Sequence, residues 1–191
     1  MKGIVFVALA AILLSPALSC GDQQSTEKEP LQKAVSEDLA RMVEEDQRLR
    51  STDKIDWDYV AGIDQQHREA VFDYLVAGAI TEPRDMYHAA LILQHADPTS
   101  CTECYLLAYK LSLAALAQGL EEARSMAPLN IDRYLIFTGR PQKFGTQSNI
   151  DSVGHYFLYP VDTLTSDSER AVWGLPPLDS IKASLERQNQ R

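Results

Sequence analysis

Two stretches of this chain are apolar on every side, and they dictate how the rest must fold. Ala89 to Leu93 offers no polar face, and 101–118 is rich in Leu, Ala and Tyr. A helix that is hydrophobic all round has to be enclosed by other elements. The segment opening at Glu82-Pro83 is therefore predicted as a central helix, with proline near the first turn where its missing N–H costs little. The 101–118 helix is expected to be largely buried beside it.

The flanking segments have the pattern of elements that enclose such a core. Residues 31–50 carry Leu31, Val35, Leu39, Met42, Val43 and Leu49 at three- and four-residue steps among charged residues, an amphipathic helix. Trp57 to Ile63 reads as a connector ending in Gly62, after which Asp64 caps a second helix to about Ala77, closed by Gly78. Asp97-Pro98-Thr99-Ser100 is a turn and cap. Gly119 precedes a short helix over 120–126, and Pro128 starts another that Gly139 and Pro141 stop. In 142–165, turn residues and the alternation of Val153, His155, Phe157 and Tyr159 predict a short strand or hairpin. From Ser168 to Gln190 the pattern is helix, Pro176-Pro177 break, helix. The expected fold is mainly α, one compact helical domain with an irregular or hairpin segment near 142–165.

The N-terminus reads as an address. Lys2 is followed by an apolar run from Ile4 to Leu14 and by small residues up to Cys20. This is a secretory leader; the run is shorter than the roughly 20 apolar residues that a span needs. Ala17-Leu18-Ser19-Cys20 resembles a bacterial lipobox, with its leucine one place later than usual, which implies lipidation of Cys20. Residues 1–19 are then a lipoprotein signal peptide, 20–30 a flexible polar tether, and 31–191 the helical domain. Ten extended residues reach about 35 Å, keeping the domain near its membrane. Gly21-Asp22 is not the usual inner-membrane retention signal. The expected location is the cell envelope, at the outer membrane facing the periplasm where the host has two membranes.

Charge narrows the partners. The chain has 18 Lys+Arg and 27 Asp+Glu, for a formal charge of −9; loss of Lys2 with the leader leaves 17 against 27, or −10. Such a surface disfavours nucleic acid and anionic lipid alike. The expected partners are the membrane, through the lipid on Cys20, and a small polar ligand or envelope component.

Four groups of residues could carry chemistry. His95 and Asp97 lie two apart at a helix end and could converge as an imidazole and its orienting carboxylate; alternatively His95 bonds a carbonyl and Asp97 caps the next helix. His88, two turns earlier, could line the same groove. It is about 10 Å of helix away, too far to share one metal directly, and no metal or cofactor is expected. Cys101 and Cys104 form C-x-x-C, a local disulfide in an oxidising compartment, or a redox or metal pair. Asp132-Arg133 lies in an apolar helical segment. Adjacent side chains point about 100° apart, so each needs its own partner if buried; Asp97 could serve Arg133, and Arg140 could serve Asp132. The loop Arg140 to Gln147 offers Arg140, Gln142, Gly145, Thr146 and Gln147, groups suited either to binding a polar ligand or to tying down neighbouring backbone.

Gln94-His95-Ala96-Asp97, Asp132-Arg133 and Gln142-Lys143-Phe144-Gly145-Thr146-Gln147 together resemble an uncharacterised bacterial family with the pattern Q-H-A-D, D-R and Q-x-[YF]-G-T-Q. Asp46-Gln47-Arg48 is similar to its early D-Q-x-R element, and Pro160-Val161-Asp162, Arg170 and Gly174-Leu175-Pro176-Pro177-Leu178 to its ending. The likeness runs over about 36–181 and implies a shared helical domain and polar site, without a known activity. The sequence leaves three readings. One is a lipoprotein whose His/Asp/Arg/Gln groove binds a small polar or envelope-derived ligand. Another is a hydrolase or transferase on envelope material, with His95 as general base. The third is a structural or assembly protein in which the cluster only stabilises the fold.

Overall fold

The computed structural model describes residues 22–190, with side chains from Glu29 onward. The leader and Cys20 lie outside the described residues. Helix α1 (Asp22–Arg50) presents Val35, Leu39 and Met42 to the core at helical spacing. It begins earlier than its apolar pattern does: residues 22–30, read as tether, form its first turns, with Pro30 inside the helix. Helix α2 (Trp57–Val76) also starts early, because Asp56 caps it by accepting the Tyr59 N–H at 3.1 Å. Gly62 is no break, since the helix runs through it. Asp64 sits within α2 rather than at its cap. Gly78, at φ +65°, closes the turn after it.

Helix α3 (Pro83–Leu93) is the central element. Ala89, Ala90, Leu91, Ile92 and Leu93 are all buried. It packs against α1, α2 and helix α4 (Glu103–Ala117), which carries Cys104, Ala108 and Leu111 into the same core. Cys101 and Cys104 are joined by a disulfide just where α4 begins. After Gly119 (φ +91°) a 3-10 turn, Glu121–Arg124, leads into helix α5 (Met126–Phe137), which packs against α4. Helix α5 opens two residues before Pro128.

Strands β1 (Ser148–Ile150) and β2 (Tyr156–Leu158) form an antiparallel hairpin, with Ser148 opposite Leu158. Of the alternating set, Phe157 alone lies in a strand. Val153 and His155 are in the turn, where Asp151 accepts both their N–H groups at 2.9 Å. Ser166 and Glu169 make a reciprocal capping box for helix α6 (Asp167–Val172). Helix α7 (Leu178–Asn189) follows the Pro176-Pro177 break and packs on β2. The domain is mainly α with one small hairpin. Among the described residues no helix is long and apolar enough to cross a membrane.

Candidate functional site

Helix α5 sends its two adjacent charges to different places. Asp132 is fully buried and turns towards the loop that follows the helix. Its Oδ1 accepts the backbone N–H groups of Lys143 (2.7 Å) and Phe144 (2.9 Å). Its Oδ2 accepts the Thr146 N–H (2.9 Å) and hydroxyl (2.8 Å). A carboxylate wrapped by backbone donors in this way needs no cation. Arg140 is therefore not its partner: the Arg140 side chain is exposed, lies over the Tyr134 ring and donates to the Thr138 hydroxyl.

Gln142 completes the loop from inside. It is fully buried, its amide donating to the carbonyls of Gln147 and Tyr159 (both 2.9 Å) while its Oε1 accepts the Gln147 N–H at 2.8 Å. Both ends of that side chain are spent on the chain itself. Gly145 has φ +82°, and a Cβ there would lie 3.2 Å from Leu178 Cδ1, so glycine is required. Arg170, 2% exposed, ties the loop to α6 by donating to the carbonyls of Phe144 (3.2 Å) and Thr165 (2.7 Å).

Arg133 leaves α5 in the other direction. Its Nε donates to Gln147 Oε1 at 3.2 Å, and its Nη1 to the carbonyl of Gln94, the residue before His95. Among the described residues no carboxylate pairs with it. Burial pulls its pKa down; Tyr105 opposes this and the charge of Arg50 adds to it. The guanidinium still stays charged. Arg50 is thus close enough to Arg133 for its charge to be felt there.

Asp97 serves neither Arg133 nor His95. It is exposed and accepts the Thr99 N–H (2.9 Å) and hydroxyl, bonds that hold its carboxyl below the usual value. The carboxylate that orients His95 comes from α1: Asp46 Oδ1 lies 2.8 Å from His95 Nδ1. Asp46 is 2% exposed and also accepts from Gln47 Nε2 (2.8 Å) and Arg50 Nη1 (2.5 Å). Burial pushes its carboxyl upward, but the bond and charge of His95, with Arg50 and Gln47, win and hold it low. Arg50 spans two helices by also reaching Asp64 on α2 at 2.6 Å. Within the early D-Q element it is Arg50, rather than Arg48, that meets the aspartate; Arg48 reaches only Glu45, at 3.7 Å.

An ionised Asp46 can only accept, so His95 Nδ1 donates and the neutral ring keeps its lone pair on Nε2. Among the described residues Nε2 has no hydrogen-bond partner, nor is it one of the buried orphaned atoms, so it reaches solvent. The same holds for Arg133 Nη2. Asp46 on α1 and Arg133 on α5 thus meet the turn after α3 at neighbouring residues, His95 and Gln94, and among the described residues each of His95 and Arg133 keeps one nitrogen without a protein partner. His88 stands in another environment, with its Nδ1 buried and unpartnered; burial first, then Arg84, lowers its pKa, against Asp85 and Glu122. Among the described residues no three His, Cys, Asp or Glu side chains are placed to share a metal ion.

The residues predicted from sequence therefore separate into three places. Arg133 links Gln147 to the carbonyl of Gln94, the residue next to His95. Asp132, Gln142 and the Thr146 hydroxyl build the loop clamp, and Asp97 and Arg140 stand apart on the surface. Sequence reasoning left out Asp46, Arg50 and Asp64 as site residues. Their signals were the D-Q element and an arginine four residues beyond it, the spacing of one helical turn.

Residues 34–189 match the model of a family of unknown function (DUF6624), and the chain belongs to that family. No curated protein and no solved structure matches it.

Proposed function

We propose that this DUF6624 member is a lipoprotein held at the cell envelope through Cys20. Its helical domain binds a small polar ligand at the Asp46–His95–Arg133 corner. The observation that carries the reading is the imidazole held at Nδ1 by a buried carboxylate while Nε2 stays open beside a guanidinium without a carboxylate. An acceptor nitrogen on one side and an uncommitted guanidinium N–H on the other are the groups a small polar ligand would use. The loop clamp around Asp132 fits the structural alternative; the corner does not. The ligand carries a hydrogen-bond donor for Nε2 and a negative or carbonyl oxygen for Arg133.

The same dyad supports a second reading, proton transfer in a hydrolase or transferase acting on envelope material. An imidazole oriented by a carboxylate at Nδ1 suits a general base at Nε2, and Arg133 would steady developing negative charge. The test is a screen of envelope extract fractions against the purified chain, following the His95 and Arg133 resonances by NMR. A fraction that perturbs both, and is lost with Arg133→Gln at unchanged melting temperature, supports the reading. No perturbing fraction, or undiminished binding by Arg133→Gln, refutes it. The anchor is tested by growth with labelled fatty acid: the wild type takes up the label and Cys20→Ser does not.

A further inference from the structure

A second place in the molecule has the make-up of a binding site, and the corner at His95 contributes none of its lining. Between α7 and the hairpin lies an open cleft of about 410 Å³, within the range that small molecules occupy. Its apolar floor is Leu158 from β2 with Ile181 and Leu185 from α7. Gly145 and Thr146 bring the loop clamp up to its edge, so its wall rests on the most firmly tied part of the fold.

Thr146 is engaged with Asp132, but four other polar side chains of this cleft are not engaged among the described residues. Ser180, Ser184 and Arg187 stand at i, i+4 and i+7 on one face of α7, and Ser148 faces them from β1. Among the described residues none of the three hydroxyls makes a hydrogen bond, and Arg187 has no acidic partner within salt-bridge distance. Five serines elsewhere behave differently. Ser36 and Ser112 bond back to the carbonyl four residues earlier, and Ser51, Ser100 and Ser125 to the one three earlier. A row of unengaged hydroxyls ending in an unpaired guanidinium, over an apolar floor, matches a ligand with an apolar body and an oxyanion at one end.

We infer that the cleft between α7 and the hairpin binds a small amphipathic organic anion, its apolar part on Leu158, Ile181 and Leu185 and its oxyanion at Arg187 and the serine row. The test uses the full chain in lipid nanodiscs, with methyl NMR of Ile181, Leu185 and Leu158 and hexanoate as probe. Hexanol and hexylamine serve as neutral and cationic controls. Hexanoate should shift these methyls saturably, at least tenfold more tightly than hexanol, and hexylamine should not bind. Arg187→Gln should bring hexanoate down to the level of hexanol. Ser184→Phe, which fills the cleft, should abolish binding with little change in melting temperature. Equal affinity for the three probes, no saturable shift, or indifference to either variant would overturn the inference. Shifts at His95 with none at Ile181 would also overturn it, while leaving the reading of the corner intact.

Discussion

Asp46 and Asp132 are both buried carboxylates, yet the surroundings that make each tolerable are of different kinds. Asp132 is met by three backbone N–H groups and one hydroxyl, all from a single loop. None of these donors titrates, and the three backbone N–H groups cannot turn elsewhere. Asp46 is met by an imidazole, a guanidinium and an amide, and two of those three can act on something else. A carboxylate satisfied by backbone shapes a loop, whereas one satisfied by side chains with open atoms prepares a site. The two regions meet at Gln147, whose N–H is held by Gln142 while its side chain receives Arg133.

The comparison breaks most readily at Asp132. Asp132→Ala strands several buried donors, each costing about 1–3 kcal/mol, so urea unfolding should show a loss of about 3–5 kcal/mol. A loss below about 1 kcal/mol would mean that the loop is held by something else. Asp46→Ala should cost less, about 2 kcal/mol, because Arg50 keeps Asp64 and His95 reaches solvent. Its folded pKa lies below the unfolded value, so its contribution is present above about pH 3.9 and is lost as pH falls through the folded pKa. Acid unfolding of Asp46→Asn should accordingly depend less on pH in that window.

Arg133→Ala should cost least of the three, about 1 kcal/mol, because it leaves a carbonyl and an amide without a donor and strands no carboxylate. Sequence alone leaves two outcomes: a loss of about 3–5 kcal/mol if a buried carboxylate is left unpaired, or nearly unaltered melting if the cluster is an open site. A drop of 3 kcal/mol or more would make Arg133 a structural member like Asp132. The smallest effect is expected at His88, whose lowered pKa favours the neutral ring. As pH falls from about 6.5 towards the folded pKa the unfolded chain binds the proton first, so stability declines. His88→Gln should flatten that decline in thermal melts between pH 7 and pH 5.

How much of this was legible in the sequence follows from what each contact is made of. The helices were, because apolar spacing and Gly or Pro stops are local: Gly78 and Gly119 end segments where expected. The start of α2 was not, because Gly62 has open space around it and costs the helix only its intrinsic penalty. His95 and Arg133 stood out as polar groups on apolar helices. Asp46 did not, since it sits among Glu44 and Glu45 on an amphipathic surface and meets His95 across 49 residues. The partners of Asp132 were hidden for another reason: they are backbone N–H groups, which carry no residue identity. Asp97 misled by adjacency, since closeness in sequence at a helix end does not aim two side chains at one point.

The Asp46–His95 dyad is the centre of the proposed site, and the protonation of one ring tests it most directly. Nitrogen-15 NMR of His95 at neutral pH should show the proton of the neutral ring on Nδ1 and the lone pair on Nε2. Asp46→Asn should weaken that preference, because an amide in place of the carboxylate no longer demands a donor at Nδ1. A neutral His95 with its proton on Nε2, or one indifferent to Asp46→Asn, would contradict the assignment of this corner as a site.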